Sequence, residues 1–217
     1  MNLIGWFLEL LYPTRCAFCH KLIRKNGEKV CADCLRKLPY VPLPAQKQCF
    51  PHVESCFSPL YYEGDVRASL LRYKFSSLTG YAEIYADFLA KCIDENQVIC
   101  DSITWVPISR RRLRRRGYDQ ARLLAEELAR RTGLPCERSL IKIRDNPPQS
   151  RIKTAAQRRA NVAGAYKACP SAEHKGRHWL LIDDIVTTGS TLSECAGVLL
   201  EAGAASVSAA ALARSKR

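Results

Sequence analysis

No apolar stretch of the sequence reaches the roughly 18–20 residues that cross a bilayer, which excludes a chain with membrane-spanning helices. The start, Met1-Asn2-Leu3-Ile4-Gly5-Trp6, lacks a basic n-region and a small-residue cleavage site. No secretory signal is therefore expected, and the chain is expected to be cytoplasmic. Acids are scarce as well: 21 Asp+Glu stand against 34 Lys+Arg in 217 residues, a net charge of +13. That excess points to phosphate, presented by a nucleic acid, an anionic membrane or a small phosphorylated ligand. Charge alone does not choose among the three. The 47% hydrophobic share is ordinary for a globular protein and excludes general disorder. The length suits one α/β domain with a small appendage.

Cysteine is plentiful, at 11 residues, in a chain expected to sit in a reducing compartment. Metal binding is then favoured over a disulfide framework. Cys16-x2-Cys19, eleven residues, then Cys31-x2-Cys34 make two knuckles able to fold four thiolates around one tetrahedral Zn²⁺. The intervening segment, with Asn26-Gly27, suits a hairpin turn. Four cysteines leave no open position, so the zinc is expected to be structural. Disulfides are the alternative outside a reducing compartment. Cys49, His52 and Cys56 form a looser cluster, read either as a second metal site or as isolated side chains. Cys92, Cys100, Cys136, Cys169 and Cys195 are expected as small core residues.

Residues 2–12 read as a short helix that packs on the protein or docks on a membrane or partner. Prolines at 39, 42, 44 and 51 read as a linker. The domain boundary is accordingly placed between 1–50, helix and zinc module, and 51–217. Beyond it, strands are expected at Cys56–Glu63, Ser102–Pro107, Ser139–Ile143, His178–Asp183 and Ser206–Leu212. Helices are expected at Asp65–Phe75, Tyr81–Ile93 and Tyr118–Thr132, the last with Ala121, Leu124, Ala125 and Leu128 on one face. An arginine-rich loop is expected after residue 107. The alternation implies a parallel sheet with right-handed crossovers.

The most informative stretch runs from Leu180 to Thr191, LLIDDIVTTGST. A buried strand ends in Asp183-Asp184, and a small-residue loop opens a helix. At the carboxyl edge of a parallel sheet this is a ligand position. Small residues let backbone amides approach a phosphate, and the helix N-terminus adds partial positive charge. Two carboxylates repel a phosphate but accept hydrogen bonds from hydroxyls, or hold a hydrated Mg²⁺. A ribose 5-phosphate derivative presents a phosphate and a vicinal diol together. The loop lacks G-x-x-x-x-G-K and is not a Walker A loop.

This segment resembles the PRPP-binding motif of type I phosphoribosyltransferases. The chain as a whole resembles the ComF family of competence-associated proteins. The resemblance rests on the cysteine module, Arg72-Tyr73-Lys74-Phe75, Val106-Pro107-Ile108, Arg116-Gly117-Tyr118-Asp119-Gln120-Ala121, Gln149-Ser150, the stretch Arg158 to Gly164, and the acidic loop. It departs from the family at Tyr118 and Asp119, where RGFNQA is frequent, and it lacks a second complete CxxC pair. The resemblance implies a type I phosphoribosyltransferase-like parallel sheet flanked by helices. Asp183 and Asp184 would hold the ribose hydroxyls as the catalytic pair, with Mg²⁺ accompanying PRPP. Thr187, Thr188, Gly189, Ser190 and Thr191 would cradle the 5-phosphate. Ile108, Ser109, Arg110 and Arg111 would face the pyrophosphate, and residues 144–156 would form a hood. Pentosyl transfer from PRPP to an undetermined acceptor is the implied activity. Thr187 stands where hypoxanthine-type enzymes usually carry an aspartate, which argues against a hypoxanthine or guanine acceptor.

Arg110, Arg111, Arg112, Arg114, Arg115 and Arg116 place six arginines in seven residues, more than one small ligand needs. A solvated helix face, a single-stranded DNA contact and an acidic-partner dock are the readings. Tyr73 and Tyr118 are candidates for base stacking or for packing. The family's tie to DNA uptake favours DNA. It also implies a place at uptake machinery, peripheral to the inner face of the membrane, for the whole protein or as an adaptor without turnover.

Overall fold

The computed structural model describes residues 13–23, 27–147, 152 and 154–216. The expected helix over 2–12, together with Asn26, Gln149 and Ser150, lies outside the described residues. A six-stranded sheet organises the rest. Its strands are β1 (Lys47–Phe50), β2 (Val53–Phe57), β3 (Leu60–Tyr61), β4 (Ser102–Trp105), β7 (His178–Val186) and β8 (Ser206–Arg214). The order is β1-β2-β8-β7-β4, with β3 also paired to β8. All pairs are parallel except β1 with β2. The two central strands, β7 and β8, are almost wholly buried, as a parallel sheet covered on both faces requires. A separate antiparallel pair, β5 (Leu140–Lys142) with β6 (Tyr166–Ala168), stands apart from this sheet.

Three departures from the sequence reading matter. The proline-rich stretch 39–51 is more than a connector: it carries the helical turn Leu43–Gln46 and edge strand β1. Prolines at 42 and 44 are compatible with this, because a helix tolerates proline in its first turn. The arginine-rich segment is a helix, Arg110–Arg116. Ser109 caps it by accepting from the Arg112 amide, and Gly117, left-handed at φ 82°, closes it. The strand expected at 139–143 exists as β5, but in the small sheet.

Helices cover both faces. On one face lie α3 (Gly64–Phe75), α4 (Tyr81–Glu95) and α6 (Gln120–Thr132), packed against Leu180, Ile182, Ala210 and Leu212. The zinc knuckle joins this same core through Cys16, Ala17 and Phe18. On the other face α8 (Ser190–Glu201) buries Leu192, Cys195, Ala196 and Leu199 against Trp179, Leu181, Ala209 and Ala211. The alternation along β7 is the period-2 pleat of a strand. Continued by two residues, it sends Asp184 toward the α3 face and Asp183 toward the α8 face. Helix α6 keeps the expected apolar stripe and stops at Gly133, left-handed at φ 74°. Among the described residues, no helix is long and apolar enough to cross a membrane.

Candidate functional site

The carboxyl ends of β4 and β7 open into a cleft of about 870 Å³. Its floor is Asp183 and Asp184, and its back wall is the loop Thr187–Thr191 leading into α8. Arg111, Arg112, Arg115 and Arg116 line the opposite side, with Ile108 and Pro107 between. Asp145, Asn146 and Pro147 rim the mouth from the hood segment. The acid pair, the small-residue loop and four of the six clustered arginines therefore meet in one cavity.

The two acids are not equivalent. Asp184 is buried, and its Oδ2 is ion-paired with Lys74 Nζ at 2.8 Å. Asp183 is partly exposed to the cleft, and its Oδ1 accepts from the Asp184 amide at 2.8 Å. Desolvation at the cleft floor, reinforced by the charge of Asp184, pushes the Asp183 carboxyl well above the usual carboxylate range. A floor of this kind favours a group that brings hydrogen-bond donors or positive charge, such as a diol or a hydrated divalent cation. On this face Lys142 donates to the Tyr166 hydroxyl at 2.9 Å. Burial, with Arg112 adding to it, lowers the Lys142 ammonium to about 8.

The loop behind the acids is built for close approach. Gly189 has φ 73°, and a Cβ placed on it would lie 2.2 Å from the Phe50 ring of β1. Phe50 thus packs directly against the loop at Gly189. Thr188 and Ser190 share a hydroxyl contact at 2.9 Å. Arg158, from α7 (Ala155–Val162), donates to Thr187 Oγ1 at 3.2 Å and to the Ile152 carbonyl at 3.0 Å, joining the loop to the hood. Asp119 accepts from the Ile108 amide at 3.1 Å and caps α6 by accepting from the Arg122 amide at 3.3 Å. One carboxylate therefore anchors both the loop after β4 and the start of α6, and burial raises its pKa.

The arginine helix divides by periodicity. Arg110 and Arg114, four apart and exposed, are absent from the cleft lining, while the other four reach it. Ser109 is buried as the helix cap and donates to Asp145 Oδ1 at 2.5 Å, so its hydroxyl faces the hood. Ser109 and Arg110 thus stand apart from the cleft wall that Ile108 and Arg111 line. Arg112 donates to the Asn146 carbonyl at 2.5 Å, and Arg116 lies over the exposed Phe75 ring at 5.1 Å. Tyr73 is wholly buried, its hydroxyl donating to the Gln120 carbonyl at 2.7 Å, and cannot stack a base. Tyr118 is half-buried and donates to the Tyr73 carbonyl. Both tyrosines are packing residues.

The four knuckle cysteines converge, with all their sulfur atoms within 4.8 Å of one another. Cys19 and Cys31 Sγ are 3.8 Å apart. Four sulfurs at about 2.3 Å around a tetrahedral centre would stand ~3.8 Å apart, so the donor set fits Zn²⁺. The site is closed by protein ligands, which makes the zinc structural. Among the described residues this is the one such cluster. The looser trio does not assemble a second: Cys56 is buried in the sheet core, Cys49 is exposed, and His52 packs on α8 at Gly197. Cys92, Cys169 and Cys195 are core residues, while Cys100 and Cys136 are half-buried.

The sequence reading missed Tyr166 and Phe50, and saw Lys74 only as part of a short motif. Each reaches the cleft or its loop from a distant stretch of chain, and no local pattern marks that approach.

The phosphoribosyl transferase domain model matches residues 115–217, and the double zinc ribbon domain model matches residues 7–57. DNA utilization protein YhgH of Escherichia coli O157:H7 is 38% identical over 110 residues, 49% of this chain and 46% of that protein. The protein of the same name from Salmonella typhimurium is 28% identical over 200 residues, 88% of this chain and 86% of its own length. Competence protein ComFC of Bacillus subtilis is 33% identical over 159 residues, 71% of this chain and 62% of that protein. The chain spans about half the length of most of the curated relatives it matches.

Proposed function

We propose, from the premise that this chain belongs to the ComF family of phosphoribosyltransferase-type competence proteins, that the cleft binds PRPP or a related ribose 5-phosphate. One observation carries the reading: Asp183-Asp184, the loop Thr187–Thr191 and Arg111, Arg112, Arg115 and Arg116 line a single cavity. Backbone amides of the loop and the N-terminus of α8 would receive the 5-phosphate. Asp183 would accept from the ribose hydroxyls. Arg111 and Arg112 would neutralise the pyrophosphate, each able to form bidentate contacts. Asp145, Asn146 and Pro147 would close the mouth and exclude water. The acid pair also suits a hydrated Mg²⁺, which would supply further charge on the pyrophosphate oxygens. Turnover would displace pyrophosphate from C1 through an oxocarbenium-like state, and the positive wall would stabilise the departing charge. The same positive wall would serve a protein that senses PRPP without turning it over.

The test is PRPP binding by calorimetry with wild type and with Asp183→Ala/Asp184→Ala. Wild type should bind in the presence of Mg²⁺, and the double variant should lose that binding. If wild type does not bind, the sugar–phosphate reading fails. Pyrophosphate release across candidate bases and amines then separates transferase from sensor.

A second reading, single-stranded DNA binding, is favoured by the exposed arginines Arg110, Arg114 and Arg115, which exceed the needs of one small ligand. If all six arginines contact phosphates, log affinity should fall against log salt with a slope of about −0.7 × 6, near −4. A slope near zero removes DNA as a partner. A position at the inner face of the membrane, beside uptake machinery, belongs to this second reading.

A further inference from the structure

Helix α3 lies between the zinc knuckle and the cleft. On one side Ser69 Oγ donates to the Ala17 carbonyl at 2.5 Å, and Arg72 donates to the same carbonyl at 3.0 Å and to that of Phe18. Ala17 and Phe18 sit inside the first CxxC knuckle, between Cys16 and Cys19, and are fully buried. On the other side Lys74 reaches Asp184 at 2.8 Å, with only 18% of the lysine side chain and 5% of the aspartate exposed. Lys74 follows Arg72 by two residues, about 200° around a helix, so the clamp and the lysine occupy opposite faces. Ser69 and Arg72, three apart, share the clamp face. Lys74 also lines the cleft.

We propose that Lys74 is a built-in cation of the sugar–phosphate site, a positioning residue that the zinc knuckle holds against Asp184 through Ser69 and Arg72. The inference rests on the reading of the cleft as a ribose 5-phosphate site. Two adjacent carboxylates facing a polyanion need neutralising, and an exogenous Mg²⁺ is one source of charge. Lys74 provides another within the chain. It neutralises Asp184 on the buried face of the sheet and leaves Asp183 to the ligand. The zinc knuckle then sets the cleft's charge balance as well as the stability of its own segment, because the clamp fixes the height of α3 beside the strand end.

The experiment compares PRPP affinity of wild type, Lys74→Met, Lys74→Arg and Arg72→Ala. It is done in buffer stripped of divalent ions on a chelating resin, with no free chelator, and again in millimolar Mg²⁺. Zinc content and thermal melting are recorded for each protein. In stripped buffer Lys74→Met should bind about tenfold more weakly than wild type, the size of one charge-assisted hydrogen bond. In Mg²⁺ the deficit should shrink, because added cation replaces the missing one. Lys74→Arg should restore most of the metal-free binding. Arg72→Ala, with its zinc retained, should show the same metal-dependent deficit in weaker form. A merely structural role predicts an equal loss under both conditions, and that result overturns the proposal. So does wild type that binds only with Mg²⁺, or Lys74→Met that binds like wild type. Arg72→Ala that keeps zinc and binds normally overturns the coupling to the knuckle. Absence of wild-type binding under both conditions instead removes the ribose 5-phosphate reading on which this rests.

Discussion

Asp183 and Asp184 are neighbours in the chain and inhabit opposite faces of one sheet. Behind Asp184 stand Lys74, then α3, then the carbonyls of the zinc knuckle. Asp183 lies in the field of Lys142, which belongs to a two-stranded sheet that pairs only with itself. The first face is tied to a closed four-cysteine cluster whose geometry a single ion would fix. The second rests on a glycine loop, a phenylalanine and a hood rim joined by side-chain hydrogen bonds. The contrast divides the site into a floor tied to a metal cluster and a wall held by ring packing and side-chain hydrogen bonds.

The largest way to break that contrast is to remove the anchor. Cys34→Ser should take zinc from one ion per chain to none. It should also release on the order of 10 kcal/mol of local folding free energy, since structural zinc binding is folding free energy. Hydrogen exchange should rise across residues 13–23 and 27–38 and extend into α3. Cys195→Ala, on the α8 face, removes a buried thiol with no metal role. It should leave zinc content unchanged and cost about 1 kcal/mol. Equal zinc loss in both would mean that the two faces are not independent.

The same contrast explains what the sequence disclosed. The knuckles were legible because all four ligands lie within one short stretch, at spacings that tetrahedral coordination demands. The acid pair and its loop were legible because strand, acids and small residues are contiguous from Leu180 to Thr191. The α3–Asp184 contact was not, because Lys74 and Asp184 meet through tertiary packing. Phe50 was hidden for another reason: prolines on either side made its strand look like a connector, while edge strands tolerate such neighbours. The arginine run read as a loop because its charge masks helical periodicity. Its Ser109 cap and Gly117 stop were the local signals that outweigh charge. The β5–β6 pairing escaped because a lone apolar strand does not announce which sheet it joins.

The α8 face offers a smaller break at Gly189. Alanine there would adopt a left-handed φ and meet the Phe50 ring, so the ring must move. Strain of about 1–2 kcal/mol and overpacking of about 1–3 kcal/mol act together. Urea denaturation should show a loss of ~2–5 kcal/mol, with zinc content unchanged. PRPP affinity should fall as well, because the loop amides shift. Phe50→Leu in the same background should recover part of the stability by giving the new methyl group room. If the double variant is no better than Gly189→Ala alone, Phe50 is not what constrains the loop.

The smallest expected effect isolates Lys142. Its free-protein pKa of about 8 reflects burial and the nearby Arg112, both of which disfavour the charged form. A polyanionic ligand favours the protonated ammonium, so the bound-state pKa lies higher than the free one. Binding should therefore be strongest below pH 8 and weaken as pH rises through it, levelling once both states are deprotonated. The loss should be at most about tenfold, the worth of one pKa unit. Calorimetric titration of PRPP from pH 7 to 9 reads it directly, and Lys142→Met cancels the ligand's own ionisation by serving as the reference. Lys142→Met should bind more weakly at pH 7 and converge on wild type near pH 9. Parallel curves would place Lys142 outside the ligand's field.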